Sequence, residues 1–216
     1  MELISLNIGQ ARAIENGKSV EKTGIYKQPV SASVQVTANG LAGDAICDTE
    51  HHGGPDQAIY IYGATDYAWW SAALGQDLAP GTFGENLTIS HLESAHFSVG
   101  DRLQVGQVTL EVTAPRIPCV TLAARMNDPA FGKRFREAER PGLYCRVIQA
   151  GSLQVGAAVS LEPYADDTVT ILEMFRDFFQ PDLTETTLRR YLAAPIAIRD
   201  RVHKKAQLQK LLTAPR

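Results

Sequence analysis

Up to about residue 163 the hydrophobic positions fall in short runs, broken repeatedly by glycine and proline. Residues 2–7, 30–37, 58–62, 86–89, 102–105, 108–113, 144–149 and 158–161 read as strands. In the run Val-Thr-Leu-Glu-Val-Thr at 108–113, strict alternation puts Val108, Leu110 and Val112 on one face. The turn signals Gly100-Asp101 and Gly106-Gln107 bracket it, and the second predicts a hairpin. Two helical patterns interrupt the strands. One covers 64–74; the other covers about 128–138, with Asp128 expected at the N-cap and Pro129 at the first helical position. The expected fold is mainly β with helical insertions, a closed or nearly closed β-barrel.

Beyond Glu162-Pro163 the period changes. Residues 168–178, 184–193 and 196–212 predict three helices, separated by Pro181-Asp182 and Ala194-Pro195. Ile171, Leu172, Phe175, Phe178 and Phe179 form an apolar stripe suited to a small α-helical bundle. The expected division is therefore a barrel over 1–163 and a three-helix unit over 164–216. Nine Lys/Arg against seven Asp/Glu give the tail +2, so the preceding residues carry −5 of the net −3. That charge gives no support to a nucleic-acid polymer as partner. No apolar run reaches the ~18 residues that span a bilayer, and the first residues carry no basic-then-apolar leader. A soluble, cytoplasmic protein without a membrane partner is the expectation.

Cys47, Cys119 and Cys145 are the only cysteines, and no C-x-x-C occurs. So sparse and odd a set argues against a disulfide framework, a zinc ribbon and a thioredoxin-type centre. Cys145 sits among apolar neighbours in a predicted strand, as a core residue does. Cys119 ends Pro115-Arg116-Ile117-Pro118-Cys119, just past a strand end in a loop stiffened by two prolines. Arg116, three residues upstream, suits lowering the thiol pKa and binding an anion.

Two other segments can carry chemistry. In His51-His52-Gly53-Gly54-Pro55-Asp56 the glycines allow close backbone approach to a ligand, or the segment is simply a Gly-Pro turn. A metal site of Cys47, His51 and His52 fits no common zinc spacing. Gly81-Thr82-Phe83-Gly84-Glu85-Asn86 is either a ligand-orienting loop or a turn whose Phe83 plugs the core, and it lacks the ending of a phosphate loop.

Taken in order, Gly40-Leu41-Ala42-Gly43-Asp44, His52-Gly53-Gly54-Pro55-Asp56-Gln57-Ala58, Gly81-Thr82-Phe83-Gly84-Glu85-Asn86-Leu87, Pro115-Arg116-Ile117-Pro118-Cys119 and Gly142-Leu143-Tyr144-Cys145-Arg146-Val147 resemble the MOSC family. This is the domain at the C-terminus of molybdenum cofactor sulfurases, and the likeness is to its YiiM-like bacterial branch with three C-terminal helices. The resemblance implies a β-barrel-like fold and a molybdenum cofactor (molybdopterin) with Cys119 as metal ligand. Pyridoxal phosphate binding is a further label that it attaches to the family. It implies reduction of N-hydroxylated compounds of the hydroxylaminopurine, amidoxime or hydroxylamine type. Electrons would come from a separate reductase, because the chain has no flavin, nicotinamide or iron–sulfur fingerprint. Arg116, His52, Gly53 and Gly54 would hold the cofactor, Asp56 and Asn86 would order the pocket, and Glu85 would donate a proton. The competing expectation is a non-enzymatic carrier of cofactor or sulfur on Cys119, and a homodimer is a possible assembly.

Overall fold

The computed structural model describes residues 1–16, 19–48 and 52–213. In chain order the elements are β1 (Leu3–Gly9), β2 (Arg12–Asn16), β3 (Ser19–Thr23), β4 (Lys27–Pro29), β5 (Val34–Thr37), β6 (Gly40–Leu41), β7 (Ile59–Gly63), α1 (Ala64–Leu74), β8 (Leu87–Ile89), β9 (Arg102–Val105) and β10 (Val108–Pro115). They continue with α2 (Val120–Arg125), α3 (Phe131–Ala138), β11 (Leu143–Gln149), β12 (Gly151–Leu153), β13 (Val159–Glu162), α4 (Ile171–Phe179), α5 (Glu185–Ala193) and α6 (Ile198–Thr213).

The main sheet has eight strands in the order β13-β9-β10-β11-β7-β8-β1-β4, antiparallel except for the parallel pair β7–β8. Helix α1 makes the crossover that a parallel pair needs. The sheet curls until the start of β1 meets the start of β13, where Leu3 N–H donates to Ala157 O at 2.9 Å and Val159 N–H to Met1 O at 2.9 Å. It does not close: a single bridge, Glu2 to Ala158, spans the seam instead of a ladder. The expected barrel is thus realised as an open, curled sheet, with β13 laddered to β9 on one edge and held to β1 on the other only around the single bridge.

Val108, Leu110 and Val112 are fully buried, as alternation requires. The core behind β7 is aromatic. Phe83 stacks on Tyr62 at 4.5 Å between ring centroids, and Trp70 donates from Nε1 to Tyr62 Oη at 2.8 Å. Rings of this kind contribute beyond their buried area through edge and offset contacts.

Several boundaries differ from the sequence reading. Of the expected strand 30–37 only β5, Val34–Thr37, forms; β4 is a separate short strand before it that ends at Pro29, which has no N–H to offer. The N-cap of α3 is Ala130 and not the expected Asp128: the helix starts only at Phe131, Pro129 stands before it, and Asp128 accepts from Ala130 N–H at 2.9 Å in the preceding turn. Thr170 and Thr184 cap α4 and α5 through their hydroxyls. The last three helices dock on the sheet at several points. Arg146 donates to Pro195 O and Ile196 O at 3.0 and 3.2 Å, and Asp56 Oδ2 accepts the first N–H of α6, from Ile198, at 2.6 Å. Phe175 of α4 meets Phe135 of α3 at 6.3 Å.

Candidate functional site

The end of β10 delivers Arg116 and then Cys119, which is the residue before α2. Leu122 and Ala123 N–H donate to Cys119 O at 3.1 and 3.2 Å, which starts α2 directly after the thiol-bearing residue. Burial alone would raise its pKa. A hydrogen bond from His52, the Arg116 charge and the Leu122 amide together outweigh burial and hold the thiol at about 6. Cys145, by contrast, is fully buried and pushed well up by desolvation, the ordinary state of a core cysteine. Cys47 is exposed at the rim of the same cavity that Cys119 lines.

That cavity has a volume of about 120 Å³. Its basic side chains are Lys22, Lys27 and Arg116, and His52, Gly53 and Asn86 complete the expected set in its wall. Arg116 is 4 % exposed, donates from Nη1 to Phe83 O, and lies 5.1 Å over the Tyr60 ring. Its Nε is buried with no partner among the described residues. His52 is fixed through Nδ1 against Tyr144 Oη at 3.3 Å. Two backbone positions shape the wall. Gly53 has φ +76, and a Cβ there would fall 2.8 Å from Ile46 Cγ2; Gly84 has φ +75 and would meet Ile25 at the same distance.

Other expected residues stand behind the wall. Glu85 is fully buried and lines neither this cavity nor its neighbour. Its Oε1 accepts from Tyr67 Oη at 2.7 Å, Gly81 N–H at 2.6 Å and Thr88 Oγ1 at 2.8 Å, and burial raises its pKa. It braces the Gly81–Gly84 turn, which does not match the expectation that it hands a proton directly to a ligand. Asp56 likewise faces away. Besides capping α6, it pairs with Arg146 at 3.0 Å. Gly54 has φ +79 and a side open to space, and it too is outside the cavity wall.

Three features escaped the sequence reading. Lys27 pairs with Asp44, whose Oδ2 also accepts from Asn86 Nδ2 at 2.9 Å. Asn86 Oδ1 in turn accepts Tyr60 N–H at 3.1 Å, so one polar chain orders the basic end of the cavity. Burial depresses the Lys27 pKa against the pull of Asp44. Tyr144, next to the core Cys145, carries a phenol that turns into the cavity. Asp44 had a signal, in the Gly40–Asp44 stretch; Lys27 had none.

The third feature is a groove of about 710 Å³ between the Cys119 loop and the C-terminal helices. Ile117, Pro118 and Cys119 face Met174, Phe178 and Gln207 across it. His52, Gln57, Cys119 and Tyr144 line both spaces, so Cys119 stands where a small basic cavity opens into a wide, largely apolar one. Among the described residues no group of three or more His, Cys, Asp or Glu is placed to hold a metal ion. His51 lies outside the described residues, and with it the Cys47–His51–His52 grouping, whose spacing already spoke against a zinc site.

Known proteins share this architecture. A crystal structure of YiiM from Geobacillus stearothermophilus superposes with a TM-score of 0.79 at 24% identity, over 96% of this chain and 98% of that one. YiiM from Escherichia coli gives 0.71 at 22%, over 92% and 91%. In sequence the chain is 30% identical to the uncharacterized protein YflK of Bacillus subtilis over 192 residues, 88% of this chain and 86% of the relative. It is 33% identical over 146 residues to a protein named reductase from Gibberella moniliformis, which covers 65% of this chain but only 26% of that longer relative. The MOSC domain profile matches residues 48–160, which contain His52, Arg116 and Cys119. The chain belongs to the MOSC domain family, in its YiiM-like branch.

Proposed function

We propose that the chain binds a molybdenum cofactor through Cys119 and reduces N-hydroxylated compounds to the corresponding amines or amidines, with electrons from a separate reductase. The observation that carries this reading is a thiol held at about 6, standing between a basic cavity and a roomy groove. A thiolate is the form that ligates a soft metal, and it exists here at neutral pH without any metal to induce it. The residues fit the group. Arg116 offers a buried Nε with no partner among the described residues, and Lys22 and Lys27 add cationic donors for an anionic phosphate.

The bound cofactor supplies a centre that passes two electrons to the substrate. The balance is R–NHOH plus two electrons and two protons to R–NH2 and water, with the N–O bond broken. Arg116, His52 and the Gly53 backbone hold the anionic part of the cofactor, while Asn86 and Asp44 keep that end ordered. Asp56 positions the His52 turn against α6, and Glu85 braces the turn whose Phe83 carbonyl anchors Arg116. His52, fixed by Tyr144 and Cys119, is the titratable group at the reacting end of the groove. Ile117, Pro118, Met174 and Phe178 surround the substrate's body and keep bulk water from it.

The test uses cofactor-loaded protein and reduced methyl viologen as donor, with hydroxylaminopurine, benzamidoxime and hydroxylamine as substrates. Amine or amidine should accumulate with wild-type protein and not with Cys119→Ala. Loaded wild-type protein that turns over none of the three would refute the reductase reading and favour a cofactor carrier.

A further inference from the structure

Arg12 and Arg125 share one aromatic ring beside the Cys119 cavity. The Arg12 guanidinium lies 3.4 Å from the centre of the Tyr26 ring and that of Arg125 4.8 Å from it, so the two charges stand within about 8 Å of each other. Neither has a carboxylate partner among the described residues, and Arg125 Nε is buried with no partner there at all. The negative face of the ring offsets part of their repulsion, and an anion would remove the rest. The neighbouring carboxylates are committed elsewhere. Asp44 pairs with Lys27 and Asp128 with Arg134, and Asp48 of the cavity wall has a contact of its own. Glu15 and Glu21 of the β2–β3 hairpin stand opposite Val20 and Ile14, towards its far end from the Arg12–Thr23 pair. The cluster adjoins the cavity: Thr23, opposite Arg12, and Thr121, one turn before Arg125 on α2, both line it, as does exposed Lys22. Arg12, Tyr26 and Arg125 line neither the cavity nor the groove, and no described residue of β2 or β3 lines the groove. They form a cationic surface patch, not a pocket.

We infer that Arg12, Lys22 and Arg125 dock the acidic face of an electron-carrying protein, which approaches over the β2–β3 hairpin while the groove stays open to substrate. The delivery of electrons rests on the reductase reading above; the docking surface rests on the charges. Arginine and tyrosine are the side chains that carry much of the binding energy at interfaces, and electron-transfer encounters bury little area, so a patch of this size suffices. Residues 1–163 carry −5 in all, so most of this body repels an acidic partner and the patch decides where it lands. The carrier loses the two electrons of the balance above, and the two protons come from solvent.

The probe is plant-type ferredoxin, an acidic iron–sulfur electron carrier, and its binding to the cofactor-loaded full chain is measured by calorimetry at low salt. Wild-type protein should bind it, with affinity falling steeply as salt rises through about 0.1 M. Arg12→Glu and Arg125→Glu should each weaken binding about tenfold, and Arg12→Lys, which keeps the charge, should retain most of it. Lys205→Glu makes the same charge change at an exposed position on α6 and should leave affinity unaltered. Thermal melts verify that the variants fold. Turnover driven by reduced ferredoxin should fall in Arg12→Glu about as far as binding does, while turnover driven by methyl viologen, itself a cation, should hold. No ferredoxin binding by the wild type, binding that Arg12→Glu leaves unchanged, or an equal loss in Lys205→Glu would overturn the inference. Inorganic phosphate binding that Arg12→Glu abolishes while ferredoxin binding persists would also overturn it, and would make the cluster a small-anion site. Ferredoxin binding that Arg12→Glu weakens, without turnover of any N-hydroxylated compound by methyl viologen, would refute the reductase reading alone.

Discussion

Alkylation of Cys119 by iodoacetamide, followed against pH on cofactor-free protein, should rise with a midpoint near the thiol's pKa of about 6. Two opposing effects set the size of the signal. At pH 5.5 a thiol of pKa 6 is about 24% thiolate and an ordinary thiol of pKa 9 about 0.03%, a ratio of roughly 760. A thiolate three units less basic is intrinsically about 20-fold less nucleophilic, since the Brønsted slope is about 0.45. The net advantage is therefore about 30-fold at pH 5.5 and only about fourfold at pH 7. Ionisation wins, and it wins most clearly on the acid side. Peptide mass mapping distinguishes Cys119 from Cys47 and Cys145. His52→Ala removes the foremost contribution that lowers the pKa, so the midpoint should move up. A wild-type midpoint near 9, or one that His52→Ala leaves in place, would refute this electrostatic account of the site.

Asp56→Ala should lower stability by about 1–3 kcal/mol, because it deprives both the first N–H of α6 and Arg146 of their acceptor; Asp56→Asn should recover part of this in a thermal melt. Gly53→Ala and Gly54→Ala both place a side chain at positive φ, costing roughly 1 kcal/mol by conformation alone. Only Gly53→Ala adds a clash, with Ile46, so denaturant titration should find it the more destabilised of the pair. Glu85 has a raised pKa in the folded state, so the neutral carboxyl stabilises the fold fully below its unfolded pKa and loses that contribution as pH rises through the folded value. Glu85→Gln should flatten stability against pH above about 4.5, whereas an unchanged profile would contradict the assignment.

What the sequence made legible depended on whether a local pattern carried the information. Strand alternation at 108–113 and the helix at 64–74 are local, and both appear where they were expected. The β2–β3 hairpin was invisible, since Arg-Ala-Ile-Glu-Asn and Ser-Val-Glu-Lys-Thr show no strong apolar face and gain their form by pairing with each other. Cys119, Arg116, His52, Gly53 and Asn86 converge as their motifs suggested. Motif position alone did not distinguish residues in the wall from those that hold it, which is why Glu85 and Asp56 read as contacts and stand behind. Lys27 and Asp44, 17 residues apart, become one ion pair only through the fold. The three terminal helices were evident from their period, but amphipathicity says that a face is covered and not by what. Their role in walling the groove beside Cys119 required the folded chain.

The most direct test of the central claim is the molybdenum and pterin content of the chain purified from a cofactor-competent host, compared across Cys119→Ser, Cys47→Ser and Cys145→Ala. Near-stoichiometric molybdenum in the wild type and in the Cys47 and Cys145 variants, with loss confined to Cys119→Ser, is the predicted result. Normal loading of Cys119→Ser would contradict the account, because the metal would then not depend on the thiolate that this site is built to hold.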